Sequence, residues 1–111
     1  MISKAFQMQL KAGCLANYEL AHNPIPTALA EAMTDYGVIK FAIFHVPGSL
    51  DLFAYVEIED EKRFADLAGL EVCQAWWREM TRYLACESPG DAKAIEVPLR
   101  GIFTFVAPEA D

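Results

Sequence analysis

Tyr18 and His22 lie four residues apart in the segment ANYELAHNPIP, residues 16–26. On a helix that spacing puts a phenol and an imidazole on one face, one turn apart, so both reach the same small ligand. Imidazole is the side chain that gains and loses a proton near neutral pH. The C-terminal end of a helix favours its cationic form. The chemistry this pattern suits is proton donation from His22 to a bound molecule, with Tyr18 as an orienting hydrogen-bond partner. Pro24 and Pro26 follow at once, and neither carries a backbone N–H. The carbonyls of Leu20 and His22 then lose their usual helical partners and stay free for ligand hydroxyls. A plainer reading stands beside this one: a histidine or tyrosine on an apolar helix stripe is commonly a structural residue.

The adjacent pair Trp76–Trp77 is the second candidate. Neighbours on a helix point about 100° apart, so one ring is expected in the core and the other in a pocket. An aromatic face suits the C–H face of a sugar ring. His45 ends a strand before a turn and reads as structural. Glu59, Asp60, Glu61 and Glu79 read as a solvated helix face. Cys14, Cys73 and Cys86 are odd in number and far apart, with Cys73 expected as a small buried apolar residue. They form no CxxC and no His/Cys cluster of zinc spacing, so neither a metal nor a cofactor is expected. A phosphate-cradling glycine loop and a nucleophile elbow are absent as well.

The elements that must position these residues follow from periodicity. Residues 2–10 alternate, with Ile2, Phe6, Met8 and Leu10 on one side, and predict a strand. Leu15, Tyr18, His22 and Ile25 then form a helical stripe. The two prolines allow two solutions. In one, Asn23 caps a new helix whose first residue is Pro24; in the other, a kinked helix continues. Either way TALAEAMTDYG is helical, with Leu29, Ala32, Met33 and Tyr36 inward and Gly37 as the stop. Residues 38–46 and 50–58 predict a hairpin around PGS, both strands apolar on both faces, as in a sheet covered on both sides. A second helical region starts near Asp60, is interrupted at Gly69, and places Val72, Trp76, Met80 and Leu84 four apart. Residues 86–96 form a polar loop, and 97–106 a last strand that Pro98 sets at a sheet edge. The order strand–helix–strand–strand–helix–strand is the ferredoxin-like split βαβ arrangement, an α+β class. Two helices cover one sheet face, and a second copy of the chain is the simplest cover for the other.

With 111 residues the chain is expected to be one domain, 1–111. Its net charge of −7 offers no basic track, which argues against nucleic acid and anionic membrane as partners and for a neutral ligand. No stretch approaches the roughly 20 apolar residues of a membrane span. The opening residues hold no apolar run of signal-peptide length. Sparse, scattered cysteines suit a reducing compartment, so the expectation is cytoplasmic.

Three segments, KAFQMQL, YELAHNPI and VCQAWWREMT, together resemble L-rhamnose mutarotase. The resemblance runs from residue 1 to about residue 84, and the segments around His22 and Trp76–Trp77 are its most specific part. It implies a ferredoxin-like βαββαβ chain of the dimeric α+β barrel type, a homodimer, and a cofactor-free isomerase that interconverts the α and β anomers of L-rhamnose by acid/base ring opening and closing. It further implies His22 as the proton donor and Tyr18, Trp76 and Trp77 as sugar-binding residues. Phe41 stands where the family usually has a sugar-binding tyrosine; the ring remains and its hydroxyl is gone. Pro26 stands where the family has a tryptophan, and CESPGD at residues 86–91 replaces NPDNSP. A lost hydroxyl leaves a sugar oxygen unpaired or bridged by water, so a related 6-deoxy or plain aldose stays open as the substrate.

Two other classes compete. A cofactor-independent monooxygenase or haem-binding enzyme on the same scaffold would use His22 as base or axial ligand. A non-catalytic sugar-binding module would bind without turnover. The identity of the general base is left open.

Overall fold

Strands form where the sequence alternates, and one of them sets the frame for the rest. In the computed structural model, which describes residues 1–109, β3 (Asp51–Ile58) buries every second residue: Leu52, Ala54, Val56 and Ile58. Antiparallel pairing with β1 (Ile2–Gln9) sets Met8 opposite Leu52 and Phe6 opposite Ala54, so one apolar face runs across both strands. The hairpin partner β2 (Val38–His45) lies on the other side of β3, and the short β4 (Val97–Leu99) pairs with β1. The spatial order is β2-β3-β1-β4, antiparallel throughout. Helices α1 (Leu15–Ala21) and α2 (Thr27–Asp35) connect β1 to β2, and α3 (Glu61–Leu67) and α4 (Glu71–Met80) connect β3 to β4. This is the expected α+β ferredoxin-like order, with each helical region broken in two.

The breaks have local causes. Asp60 caps α3, its carboxylate accepting from the Arg63 N–H at 2.9 Å. The α3–α4 break falls at Ala68–Leu70, around Gly69. Gly37 ends the α2 region with φ +84°, a conformation that costs a glycine nothing. The first break differs from both expected solutions. Helix α1 stops at Ala21, the Asn23–Pro24 peptide is cis, and α2 starts at Thr27 with Pro26 as its cap residue. Neither an Asn23 cap nor a kinked continuous helix forms, and Ile25 lies in the turn.

Two further differences matter. Val38 pairs with Ile58 and Lys40 with Glu57, so Ile39 is an extra residue, a β-bulge. After the bulge, Phe41, Ile43 and His45 lie opposite Val56, Ala54 and Leu52, on the helix-bearing face. The last strand is also shorter than expected, 97–99 instead of 97–106. Its register sets Leu99 against Ala5, so a continued ladder reaches the start of β1 at Ile2 by residue 102. Beyond that point β1 offers no further residue to pair with.

Two clusters make the core. Met8, Leu10, Tyr18, Leu52, Ala54, Met80 and Leu84 form the larger, with Trp76 packed against it; Ala32, Leu67 and Cys73 form the smaller, with Trp77 packed against it.

Candidate active site

A cavity of about 660 Å³ lies between the helices and the helix-bearing sheet face, within the size range of small-molecule sites. It takes residues from β1, β2, β3 and all four helices. Tyr18, His22, Phe41, Trp76 and Trp77 all line it.

Helix α1 delivers the first pair. The helical spacing brings the Tyr18 and His22 rings to 4.4 Å between centroids. The His22 ring stands edge-on to Trp76 at 5.1 Å. Its Nδ1 lies 2.7 Å from the carbonyl oxygen of Tyr18. A carbonyl only accepts, so Nδ1 carries the proton and donates. That fixes the tautomer: in the neutral ring Nε2 is an acceptor, and in the charged ring it is a second donor. Nε2 has no hydrogen-bond partner among the described residues.

Tyr18 is buried, and its hydroxyl makes no hydrogen bond among the described residues. Burial, and after it the Glu96 carboxylate, push the phenol above the ordinary tyrosine range. At neutral pH it is therefore an uncharged hydroxyl, suited to hydrogen bonding and unsuited to act as a base.

Helix α4 delivers the tryptophans. Both are half-buried and both line the cavity. The expectation that one of them would go into the core gives way to a division: each indole rests on a different core cluster because neighbouring helical residues diverge. Phe41 enters through the bulge at Ile39 and meets Phe6 edge-on at 6.2 Å.

The idea of two spare carbonyls holds only for one. Asn23 N–H donates to the Leu20 carbonyl at 3.3 Å, so that oxygen is taken. The Asn23 side chain donates to the Glu19 carbonyl at 2.8 Å and closes the helix end. No hydrogen bond reaches the His22 carbonyl among the described residues. His45 also lines the cavity, but its Nε2 donates to the Ser49 carbonyl at 2.7 Å and pins the β2–β3 turn. Cys73 is buried; burial raises its thiol, with Lys93 opposing and Glu96 adding. A thiol held protonated is a weak nucleophile.

Periodicity did not reveal two further cavity residues, Lys93 and Glu96. They come from the loop 86–96, which reads as solvated from composition. The backbone bond from Ile95 N–H to the Ala85 carbonyl, 3.0 Å, helps fold that loop back to the cavity. Among the described residues no group of three or more His, Cys, Asp or Glu side chains is arranged to hold a metal ion.

The arrangement offers an imidazole with an unpartnered Nε2, a neutral hydroxyl, two indole walls and a carboxylate around a space for one small molecule. Comparison with known proteins bears on which molecule. A family model described as L-rhamnose mutarotase matches residues 3–105. A protein of Opitutus terrae with that name is 43% identical over 103 residues, 93% of this chain and 97% of its own length. One of Pectobacterium carotovorum is 41% identical over 81 residues, 73% of this chain and 78% of its own length. The crystal structure of an L-rhamnose mutarotase from Formosa agariphila superposes with a TM-score of 0.81 at 24% identity, covering 96% of this chain and all of that one; that likeness speaks to the fold.

Proposed function

Since the chain belongs to the L-rhamnose mutarotase family, we propose that its cavity interconverts the α and β anomers of L-rhamnose by proton-assisted opening and closing of the pyranose ring. The observation that carries this reading is the His22 ring, held by the Tyr18 carbonyl with Nε2 unpartnered beside a neutral phenol and an indole.

Ring opening needs a proton at the ring oxygen as the C1–O5 bond breaks, and loss of the proton from the anomeric hydroxyl as C1=O forms. Charged His22 gives the proton from Nε2 to the ring oxygen. Tyr18 donates to, or accepts from, a sugar hydroxyl and orients it. Trp76 and Trp77 cover the C–H faces of the ring. Rotation about C1–C2 presents the other face of the aldehyde, and closure returns the proton to His22. Such positioned proton transfer typically contributes about 10²–10⁴-fold, enough for a reaction that already proceeds in water. The test is saturation-transfer proton NMR on equilibrated L-rhamnose: irradiating one anomeric proton must attenuate the other when the protein is added. Absence of transfer with every aldose would overturn the reading. None of the comparisons favours the oxygenase, haem-binding or purely sugar-binding alternatives.

Phe41 tunes this site. A tyrosine there would extend a hydroxyl towards the sugar. One added hydrogen bond is worth about 0.5–1.5 kcal/mol net, so Phe41→Tyr is expected to lower KM for L-rhamnose by about 2–10-fold. An unchanged or raised KM in the same NMR assay would show that a hydroxyl at that position finds no partner on L-rhamnose.

The second copy of the chain belongs on the open sheet face. That face carries Phe44, 62% exposed, together with Phe53, Tyr55, Val97 and Leu99. Past β4, Phe103 is 83% exposed and Phe105 74%. An apolar area of this kind supports a homodimer, formed on the side away from the cavity. Phe44→Glu is expected to give a monomer in sedimentation velocity, and a dimer that survives it would refute this placement. The three cysteines are unpaired, in keeping with a reducing, cytoplasmic setting, and the charge of −7 disfavours nucleic acid.

A further inference from the structure

Mutarotation needs two proton carriers, and His22 supplies one. The other must be a group that takes the proton of the anomeric hydroxyl. Tyr18 is excluded as a base because its phenol is held neutral. Among the described residues two carboxylates line the cavity, Glu19 and Glu96. Glu19 is exposed on α1, whereas Glu96 is half-buried. Lys4, the other cation beside Lys93 in the lining, is occupied by Glu61 at 3.1 Å.

Glu96 is held from several sides. Its Oε1 accepts from Lys93 Nζ at 3.1 Å, leaving Oε2 without a partner among the described residues. Lys93 Nζ in turn lies 4.1 Å from the Trp77 ring centroid, so a cation–π contact ties the pair to the sugar-facing indole. The backbone is fixed on both flanks, by Ile95 N–H on the Ala85 carbonyl and by Val97 opposite Gln7 on β1. Glu96 lines the same cavity as Tyr18 and Cys73, and its negative charge adds to the upward push on both groups.

We propose that Glu96 is the catalytic base, its Oε2 taking the proton from the anomeric hydroxyl, with Lys93 as the positioning residue that holds the carboxylate in place through Oε1. The assignment rests on the mutarotase reading of the site. In the opening step the C1–O5 bonding pair goes to O5, which gains a proton from His22 Nε2. The electron pair of the anomeric O–H bond forms the second C–O bond, and Glu96 gains that proton. Closure reverses both transfers on the other face of C1: the C5 hydroxyl attacks, its proton goes to His22, and Glu96 returns its proton to the new anomeric oxygen. Nothing is consumed, and both groups end as they began.

The chain has two tryptophans, Trp76 and Trp77, and both line the cavity, so intrinsic fluorescence reads sugar binding directly. The experiment compares wild type, Glu96→Gln and Glu96→Asp in anomer exchange of L-rhamnose and in a fluorescence titration with the same sugar. Glu96→Gln is expected to bind with unchanged Kd and to exchange about 10²-fold or more slowly; Glu96→Asp, which keeps a shortened carboxylate, is expected to lie between. Exchange at the wild-type rate in Glu96→Gln would overturn the proposal. So would a loss confined to Kd, which would make Glu96 a binding group. Wild-type protein without exchange on any aldose would instead bring down the mutarotase reading, so the two failures are distinguishable. Should Glu96→Gln not fold, Glu96→Asp decides alone: slowed exchange at unchanged Kd supports the proposal, and wild-type exchange or a loss confined to Kd overturns it.

Discussion

His22→Gln is expected to slow L-rhamnose anomer exchange by about 10²–10⁴-fold while leaving sugar affinity nearly unchanged. Glutamine is the informative replacement. Its amide N–H can still donate to the Tyr18 carbonyl, the bond that Nδ1 makes at 2.7 Å. It can still hydrogen-bond a sugar, and it is a good helix former at the end of α1. What it lacks is a proton to give up near neutral pH. A change in which kcat falls and Kd does not is the signature of an interaction made in the transition state. The rate is read by saturation transfer between the two anomeric protons, the affinity by tryptophan fluorescence. Turnover that survives intact would move proton delivery to another cavity group. Tyr18 is a poor substitute, because burial and the Glu96 charge keep its proton in place.

Most of this site is legible from local patterns. Tyr18 and His22 share a helix face by spacing alone, and their rings meet as the spacing predicts. Trp76 and Trp77 must diverge, and do so onto two core clusters. The features that local patterns leave open or misplace depend on more than the local sequence. The prolines at 24 and 26 satisfy several local rules at once: first helical position, kink, or loop. Propensity does not choose between them; in the structure α1 ends at Ala21 and α2 starts at Thr27. Alternation through residues 97–106 marks apolar character, but a strand needs a neighbour, and β1 begins at Ile2. Phe41 reaches the cavity because one extra residue at Ile39 shifts the register, and a one-residue shift moves every following side chain to the opposite face. Glu96 is the extreme case. Nothing around it in sequence separates it from a solvated loop residue; a backbone bond to Ala85 does.

The second large effect concerns stability. Leu10→Ala is expected to cost about 2–5 kcal/mol, against a total of about 5–15 kcal/mol for a domain of this kind. Leu10 is 2% exposed and sits where the fold closes. Its residue bridges to Leu84, and its N–H donates to the Leu50 carbonyl at 2.8 Å. An alanine keeps those backbone bonds, so the loss isolates side-chain packing. The cavity it leaves falls in the cluster of Met8, Tyr18, Met80 and Leu84, with rigid backbone from β1 on one side and the end of α4 on the other. Such a site relaxes little, which places the cost well inside the range. Leu20→Ala is the matched control, the same chemical change on a side chain 71% exposed, and is expected to stay within about 0.5 kcal/mol. Denaturant unfolding of both variants checks this through the midpoint at constant slope. A Leu10→Ala cost under about 1 kcal/mol would mean the cluster repacks. Tyr18, which rests on it, would then owe its orientation to the His22 and Tyr83 rings, 4.4 Å and 6.4 Å away, more than to the core beneath.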